Sequence, residues 1–201
     1  MRNLFVSHYT DSNSERQLEY VSCLTKNIAN KSIDKIYLVC ESEPFITVNP
    51  KVKVIVIKSR PTYNVFFDLI RQLTKPEDWN IIANSDIYFD NTIEQVSNKP
   101  ANCLVALTRY EVNKSGAITF LNRADSQDVW AFKGYANVSC DFTLGVAGCD
   151  NVLAFKFAEA RYMVINPSRS IKVYHLHSSG IRNYTSLTRL KPPYKLIPPT
   201  V

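Results

Sequence analysis

Short apolar runs alternate with amphipathic helical patterns through the first hundred residues. The runs are rich in valine, isoleucine and leucine and end in polar turn residues, which indicates buried strands. Between them lie longer segments whose apolar residues recur three and four positions apart, as on one face of a helix. The predicted order is strand 4–7, helix 14–30, strand 35–40, strand 52–57, helix 62–74 and strand 80–84. This alternation predicts an α/β fold with a mostly parallel central sheet flanked by helices.

The second half of the chain has a less regular pattern. We predict strands at 102–108, 129–132 and 170–177 and a helix at 150–162, separated by loops rich in Asn, Asp, Ser and Gly. Residues 191–201 are rich in proline and lack a helix or strand pattern, so we expect a semi-rigid linker or tail there. The expected organisation is a single domain at 1–190, as one part of a longer polypeptide.

Composition limits the class of protein. With 201 residues and 45% hydrophobic content, the chain is long enough for one sizeable core. Its apolar runs are far shorter than a membrane span and no secretory signal is recognisable, so we expect a cytoplasmic protein. The five cysteines lack C-x-x-C spacing and are odd in number, which favours buried, reduced thiols over disulfides or a zinc site.

The distribution of charged residues and of glycines along the chain indicates what kind of ligand it could bind. Residues 1–100 hold twelve basic and twelve acidic side chains, whereas residues 101–201 hold twelve basic and six acidic ones. This C-terminal excess favours a polyanion, such as a nucleoside diphosphate, a nucleic acid or an anionic membrane, unless it is a solvated basic tail. No glycine precedes Gly116, which argues against a P-loop or a dinucleotide-binding turn. A bound phosphate would therefore need cations.

The predicted strand 80–84 runs directly into Asn84-Ser85-Asp86. Open α/β sheets bind their ligands at the carboxyl ends of the strands, so this carboxylate is well placed for a site. Carboxylate oxygens suit a hard divalent cation that also holds substrate phosphates. We interpret the segment as a metal and diphosphate site. The alternative is a polar turn, since Asn, Ser and Asp are common turn residues.

Three further clusters carry candidate chemistry. Asp128 precedes a predicted strand and Asp150 begins a predicted helix, where each could also be an ordinary turn or N-cap residue. His175 and His177 alternate along the last predicted strand, so both imidazoles are expected on one side of it. With Arg182 close behind, two such histidines favour a metal and phosphate site over separate structural histidines.

The motifs in this order resemble those of small GT-A-fold, family-2-like glycosyltransferases. The resemblance is greatest to enzymes that build bacterial surface polysaccharides and to the rhamnosyltransferase-type N-terminal domains of chlorella-virus multidomain glycosyltransferases. It covers roughly residues 3–185. The motifs that carry it are Asn84-Ser85-Asp86, Ser126-Gln127-Asp128-Val129-Trp130, Gly148-Cys149-Asp150-Asn151 and the segment from Asn166-Pro167-Ser168 to His175-Leu176-His177.

The resemblance implies an enzyme that moves a sugar from a nucleoside-diphosphate donor, a UDP-sugar with UDP-rhamnose as one candidate, to a glycan acceptor. In that family an Asp-x-Asp motif holds Mn²⁺ or Mg²⁺ against the diphosphate. Asn84 replaces the first acid here, so Asp86 is the implied metal ligand, with Asn84 and Ser85 beside the nucleotide. His175 or His177 would complete the metal shell. A viral origin would place the protein in the host cytoplasm.

The resemblance also divides the domain into two halves. The nucleotide-binding half, about 1–100, would hold the donor with residues that follow the early strands. The candidates there are His8, Tyr9, Thr10, Glu41 and Arg60. The acceptor half, about 101–190, would supply the carboxylate base that an inverting enzyme needs, with Asp150 the first candidate and Asp128 the second. A retaining enzyme would need no such base, and Asp150 would then orient donor hydroxyls; the sequence does not separate the two outcomes. Arg182 would be a second cation on the leaving diphosphate.

Three other functions share some of these sequence features. A sugar-phosphate nucleotidyltransferase would share the early sheet, but that family has a glycine-rich N-terminal loop that this sequence lacks. A metal-dependent phosphohydrolase could use Asp86 with His175 and His177. A non-catalytic module could bind glycan or nucleic acid through its basic C-terminal segment, although no recognised nucleic-acid motif is present, and we expect neither a nucleic-acid partner nor a membrane span.

Overall fold

Eleven strands and four helices are present in the described residues, 1–44, 49–177 and 189–201 of the computed structural model. The helices are α1 (Ser14–Ala29), α2 (Tyr63–Leu73), a 3₁₀ helix (Asn91–Asn98) and α3 (Cys149–Glu159). The strands are β1 (Arg2–His8), β2 (Lys35–Cys40), β3 (Val52–Val56), β4 (Trp79–Ala83), β5 (Ile87–Phe89), β6 (Cys103–Leu107), β7 (Tyr110–Val112), β8 (Ile118–Phe120), β9 (Val129–Lys133), β10 (Met163–Ile165) and β11 (Val173–Leu176).

These strands form two sheets. The larger sheet has seven strands in the order β10-β6-β9-β4-β1-β2-β3, and all of its pairs are parallel except those of β9 with β4 and β6. The smaller sheet has the order β5-β11-β7-β8. The predicted α/β fold with a mostly parallel, helix-flanked central sheet is therefore confirmed.

The large sheet separates two apolar clusters, because successive strand side chains point to opposite faces. In β1, Leu4 belongs to one cluster and Phe5 to the other. Helix α1 covers the first face with Leu24 and Ile28. Helices α2 and α3 cover the second face with a buried aromatic and aliphatic set that includes Phe66. Burial on both faces explains why these strands read as continuous apolar runs.

Local sequence signals predicted the helix ends well, except for the N-cap residue of α1. Helix α2 begins after Thr62 and ends before Thr74, within one residue of the prediction. For α1, Ser12-x-x-Glu15 and Ser14-x-x-Gln17 both have the spacing of a capping box, which predicts Ser12 or Ser14 as the N-cap, and this prediction is wrong. The N-cap is Asn13, whose side-chain oxygen accepts a hydrogen bond from the Arg16 backbone N–H at 3.0 Å. Asparagine is as good an N-cap as serine, so the choice depends on where the helix enters the fold.

Two simpler expectations concern cysteines and membrane spans. All five cysteines are buried free thiols, as predicted. None of the helices in the described residues has the length and apolar character that a membrane crossing requires.

The C-terminal residues 189–201 pack along the domain without forming a helix or strand. The backbone N–H of Lys195 donates to the Asn151 carbonyl at 3.0 Å, and that of Ile197 donates to the Ala124 carbonyl at 2.8 Å. The Ile197 side chain is 5% exposed and belongs to the second apolar cluster. The proline-rich segment therefore braces the loop before β9 and the first turn of α3.

Replacing Ile197 by alanine should lower the free energy of unfolding by about 2–4 kcal/mol, because the change leaves a cavity in the core. The neighbouring Leu196 is 56% exposed and provides a matched control. Leu196→Ala should change stability by less than about 0.5 kcal/mol. Urea unfolding of both variants measures the difference, and equally small effects would contradict the packing role of Ile197.

Candidate functional site

The start of β9 lies between the carboxyl ends of β4 and β6. Val129 is opposite both Ala83 and Leu107, so the residue before Val129 meets the residue after Ala83. The backbone N–H of Asn84 donates to the carbonyl of Asp128 at 3.3 Å. Two of the predicted motifs are thus adjacent because of strand register.

The smaller sheet brings a C-terminal histidine to the same edge. In the β5–β11 pair, Ile87 is opposite His175, and the Leu176 backbone N–H donates to the Asp86 carbonyl at 2.9 Å. In the β11–β7 pair, His175 is opposite Glu111. His175 therefore lies between two acidic residues that are distant from it in sequence.

A cleft of about 500 Å³ opens at these strand ends. This volume is typical of small-molecule sites. The three predicted metal ligands and both candidate bases line the cleft, and so do Tyr9, Arg60, Asn84 and Ser85. Most of the residues that the sequence assigned to one site are therefore gathered around one cavity.

Asp86, His175 and His177 converge in this cleft. One potential ligand atom of each residue lies within 4.8 Å of those of the other two. Asp86 Oδ2 is 3.0 Å from His175 Nε2, and both residues are buried. The two imidazole rings stack with their centroids 5.1 Å apart, so the prediction that they face one side is confirmed.

The cluster contains strongly coupled charges. Burial opposes ionisation of Asp86, yet His175 and Arg16 lower its pKa well below the usual value. Burial also disfavours the charged form of His175, but Asp86 and Glu111 raise its pKa to about 9. Glu111 is half-buried, and its contacts with His175 and Arg109 lower its pKa to about 2. Opposite charges therefore stabilise one another in a partly dry environment.

Arg16, from the first turn of α1, enters the same cluster. Its Nη2 donates to Asp86 Oδ2 at 2.5 Å and its Nη1 lies 2.7 Å from His177 Nδ1. Nη1 also donates to Glu19 Oε2 at 2.6 Å, and the guanidinium lies over the Tyr20 ring. A monovalent cation of the protein thus contacts two of the three predicted metal ligands.

The residues nevertheless fit a divalent cation. Asp86 Oδ1 is buried and has no hydrogen-bond partner among the described residues, which leaves an acceptor for an ion. Glu111 Oε2 is 2.6 Å from His175 Nδ1, leaving Nε2 directed toward Asp86. A carboxylate behind a metal-binding histidine is the usual arrangement that orients the ring. The donor set is one carboxylate and two imidazoles.

Asp128 is held by its neighbours. Arg109 Nη1 donates to both of its carboxylate oxygens, at 2.9 and 2.7 Å, and Asn84 Nδ2 donates to Oδ1 at 3.0 Å. Arg109 also pairs with Glu111 at 2.7 Å. A chain of contacts therefore links Asn84 and Asp128 to His175.

Asp150 lies in the first turn of α3, where it has a different environment. Its oxygens accept hydrogen bonds from the backbone N–H groups of Gln127 and Asn151, at 3.2 and 3.1 Å. Burial raises its pKa to about 6, Asp128 adds to the rise, and the two backbone donors oppose it. A carboxyl group with this pKa can exchange a proton near neutral pH.

Comparisons with solved structures address the fold. The chain resembles the mannosyltransferase PcManGT from Pyrobaculum calidifontis, in complex with GDP-Man and Mn²⁺, with a TM-score of 0.56, 13% identity and 91% of this chain covered. It also resembles residues 1–349 of TarS from S. aureus, in complex with UDP-GlcNAc, with a TM-score of 0.54, 10% identity and 88% covered. The chain has a GT-A fold.

The similarity to these two structures covers only part of their length. The chain spans 58% of the length of each of the two structures. No family model matches the chain, and no curated protein matches it. The two structures give no support for the viral part of the resemblance.

Some of the residues that we predicted to bind the nucleotide lie away from the cleft. His8 is buried, while Thr10 and Glu41 are exposed, and none of the three is among the described residues that line the cleft. Ser85 lines it, although its hydroxyl donates to the Ser7 carbonyl. Arg182 lies outside the described residues.

Sequence reasoning missed six charged residues of the cleft. Three of them, Arg16, Arg109 and Glu111, contact the predicted site residues, and the others are Arg123, Asp125 and Arg189. Arg109 follows β6, so the rule that selected residues after the earlier strands could have found it. Glu111 lies in β7, a strand of three residues that has no recognisable sequence pattern. Arg16 is on a helix, and no local signal connects it with Asp86.

Proposed function

We propose that the chain is a metal-dependent glycosyltransferase that transfers a sugar from a nucleoside-diphosphate donor, a UDP-sugar, to a glycan acceptor. The observation that carries this proposal is the convergence of Asp86, His175 and His177 in the cleft of a GT-A fold. UDP-rhamnose remains a candidate donor through the sequence resemblance. The two similar structures hold different donors, GDP-Man and UDP-GlcNAc. Binding experiments on this chain must therefore test nucleotides with several different nucleobases.

The metal ligands in this proposal are Asp86, His175 and His177. A bound divalent cation would supply Lewis-acid stabilisation of the charge that develops on the leaving diphosphate. Two imidazoles in the donor set favour Mn²⁺ over Mg²⁺, because Mg²⁺ prefers oxygen ligands. Glu111 would orient His175 by accepting its Nδ1–H.

Arginines of the cleft would hold the donor phosphates. The chain lacks the early glycines that would allow backbone N–H groups to do this. Arg16, Arg60 and Arg109 line the cleft, together with Tyr9. The guanidinium group suits phosphate because it presents several donors in a fixed plane.

Asp150 would be the catalytic base of an inverting transfer. Its carboxylate would take the proton from the acceptor hydroxyl while that oxygen bonds to the anomeric carbon. The bond from that carbon to the diphosphate oxygen breaks, and its electron pair stays on the diphosphate. Asp128 already accepts hydrogen bonds from Arg109 and Asn84, so it is better suited to positioning those two side chains.

Thermal unfolding with nucleotides tests the function. We expect UDP with Mn²⁺ to raise the melting temperature by roughly 5–10 °C at about 100 times the dissociation constant, more than either ligand alone. GDP and dTDP with Mn²⁺ test the base preference, and EDTA should remove the effect. The proposal is wrong if no nucleotide gives a metal-dependent increase, and metal-dependent hydrolysis of simple phosphate esters would favour the phosphohydrolase instead.

A further inference from the structure

Arg16 makes contacts that conflict with metal binding by His177. A guanidinium group has only N–H donors, so His177 Nδ1, at 2.7 Å from Arg16 Nη1, must present its lone pair to Arg16. The proton of the neutral imidazole is then on Nε2. His177 in this state has no lone pair left for an ion.

Either mode of metal binding by His177 breaks this contact. If Nδ1 binds the ion, Arg16 must leave because the lone pair is taken. If Nε2 binds the ion, the ring proton moves to Nδ1, and two N–H groups then face each other. The hydrogen bond from Arg16 and metal ligation by His177 are therefore mutually exclusive.

The same guanidinium also contacts Asp86. Its Nη2 donates to Asp86 Oδ2 at 2.5 Å, and the Arg16 side chain is only 10% exposed. The cation of Arg16 thus offsets the negative charge of Asp86, which His175 Nε2 also contacts at 3.0 Å. An entering ion would meet electrostatic repulsion from Arg16 as well as competition for ligand atoms.

We propose that Arg16 competes with the divalent cation for Asp86 and His177, and that a nucleoside diphosphate relieves this competition by accepting the displaced guanidinium. This inference rests on the proposed function and extends it to the order of ligand binding. The metal and the nucleotide bind cooperatively, because the phosphates offer Arg16 a new anionic partner when it leaves Asp86. The metal alone binds weakly.

Titration with Mn²⁺, followed by electron paramagnetic resonance of the free ion, tests the competition without measuring activity. We expect Arg16→Met to lower the dissociation constant for Mn²⁺ roughly tenfold in the absence of nucleotide. UDP should increase Mn²⁺ affinity strongly in the wild type and much less in this variant. Arg71→Met, on the exposed face of α2, is a matched control and should leave both values unchanged.

A second variant controls for a loss of folding that replacement of Arg16 could cause. Glu19 is buried and loses one partner when Arg16 is replaced, so Arg16→Met combined with Glu19→Gln removes that carboxylate charge as well. Both variants should show the gain in Mn²⁺ affinity, and adding Asp86→Asn should abolish it. Unchanged or weaker Mn²⁺ binding by folded Arg16 variants would overturn the competition.

The outcome is separable from that of the proposed function. If the Arg16 variants gain Mn²⁺ affinity but no nucleotide binds, the competition stands and the glycosyltransferase proposal fails. If UDP binds the wild type with Mn²⁺ but the Arg16 variants gain nothing, the glycosyltransferase proposal stands and the competition is wrong.

Discussion

Asp86→Asn should abolish the metal-dependent stabilisation by UDP and weaken Mn²⁺ binding at least about 100-fold. Loss of a residue that merely orients a ligand already costs 10–100-fold in metal affinity, and Asp86 is proposed as a direct ligand. The amide keeps the size of the side chain but removes the charge that faces both His175 and Arg16. Thermal unfolding with UDP and Mn²⁺, together with Mn²⁺ titration, measures both effects.

The control for this variant is Asp68→Asn. Asp68 is an exposed carboxylate of α2 that pairs with Arg71, and it is not among the described residues that line the cleft. Its replacement should leave the response to UDP and Mn²⁺ intact. Circular dichroism of Asp86→Asn establishes that the fold is retained. A folded Asp86→Asn protein with the full metal-dependent response would exclude Asp86 as a ligand.

Asp150→Asn should reduce kcat by roughly 1,000-fold while the dissociation constant for UDP changes less than about twofold. General base catalysis contributes about 10²–10⁴-fold, and the base contacts the acceptor rather than the nucleotide. The asparagine oxygen can still accept the hydrogen bond from the Gln127 backbone N–H, so the start of α3 is preserved. Sugar transfer and UDP binding are measured on the same preparation.

The pH dependence of transfer identifies Asp150 more directly. The base must be ionised, and burial raises the pKa of Asp150 to about 6. The wild-type kcat/KM should therefore rise as pH increases through about 6, and this limb should be absent from Asp150→Asn. Asp141→Asn changes an exposed carboxylate of the same half and should keep the limb. Full activity in Asp150→Asn would rule out the base assignment.

Local patterns predicted the large sheet well because each of its longer strands contains a short apolar run. Strands β1, β2, β3, β4, β6 and β9 of this sheet, β11 of the smaller sheet and the three α-helices were all identified, with ends mostly within one to three residues. The strands that were missed, β5, β7, β8 and β10, have three residues each. Such short strands depend on their pairing partners rather than on their own periodicity.

The candidate site was predicted in part, and the pattern of success has a physical cause. Asp86, Asp128 and Asp150 were selected because each adjoins a predicted strand or helix end, where ligands bind in open sheets. His8, Thr10 and Glu41 satisfied the same criterion but do not line the cleft. The end of a strand identifies the correct edge of the sheet, but side-chain direction depends on the packing around it.

The amino-acid sequence by itself determined the α/β class, the order of the main strands and the presence of carboxylate and imidazole ligands. These properties follow from periodicity and from the chemistry of individual side chains. The tertiary structure alone decided that Asp86 and His175, 89 residues apart, would lie 3.0 Å from each other, and that Arg16 would contact the same carboxylate. Those contacts depend on the register between β5 and β11 and on the packing of α1, which no short segment of sequence encodes.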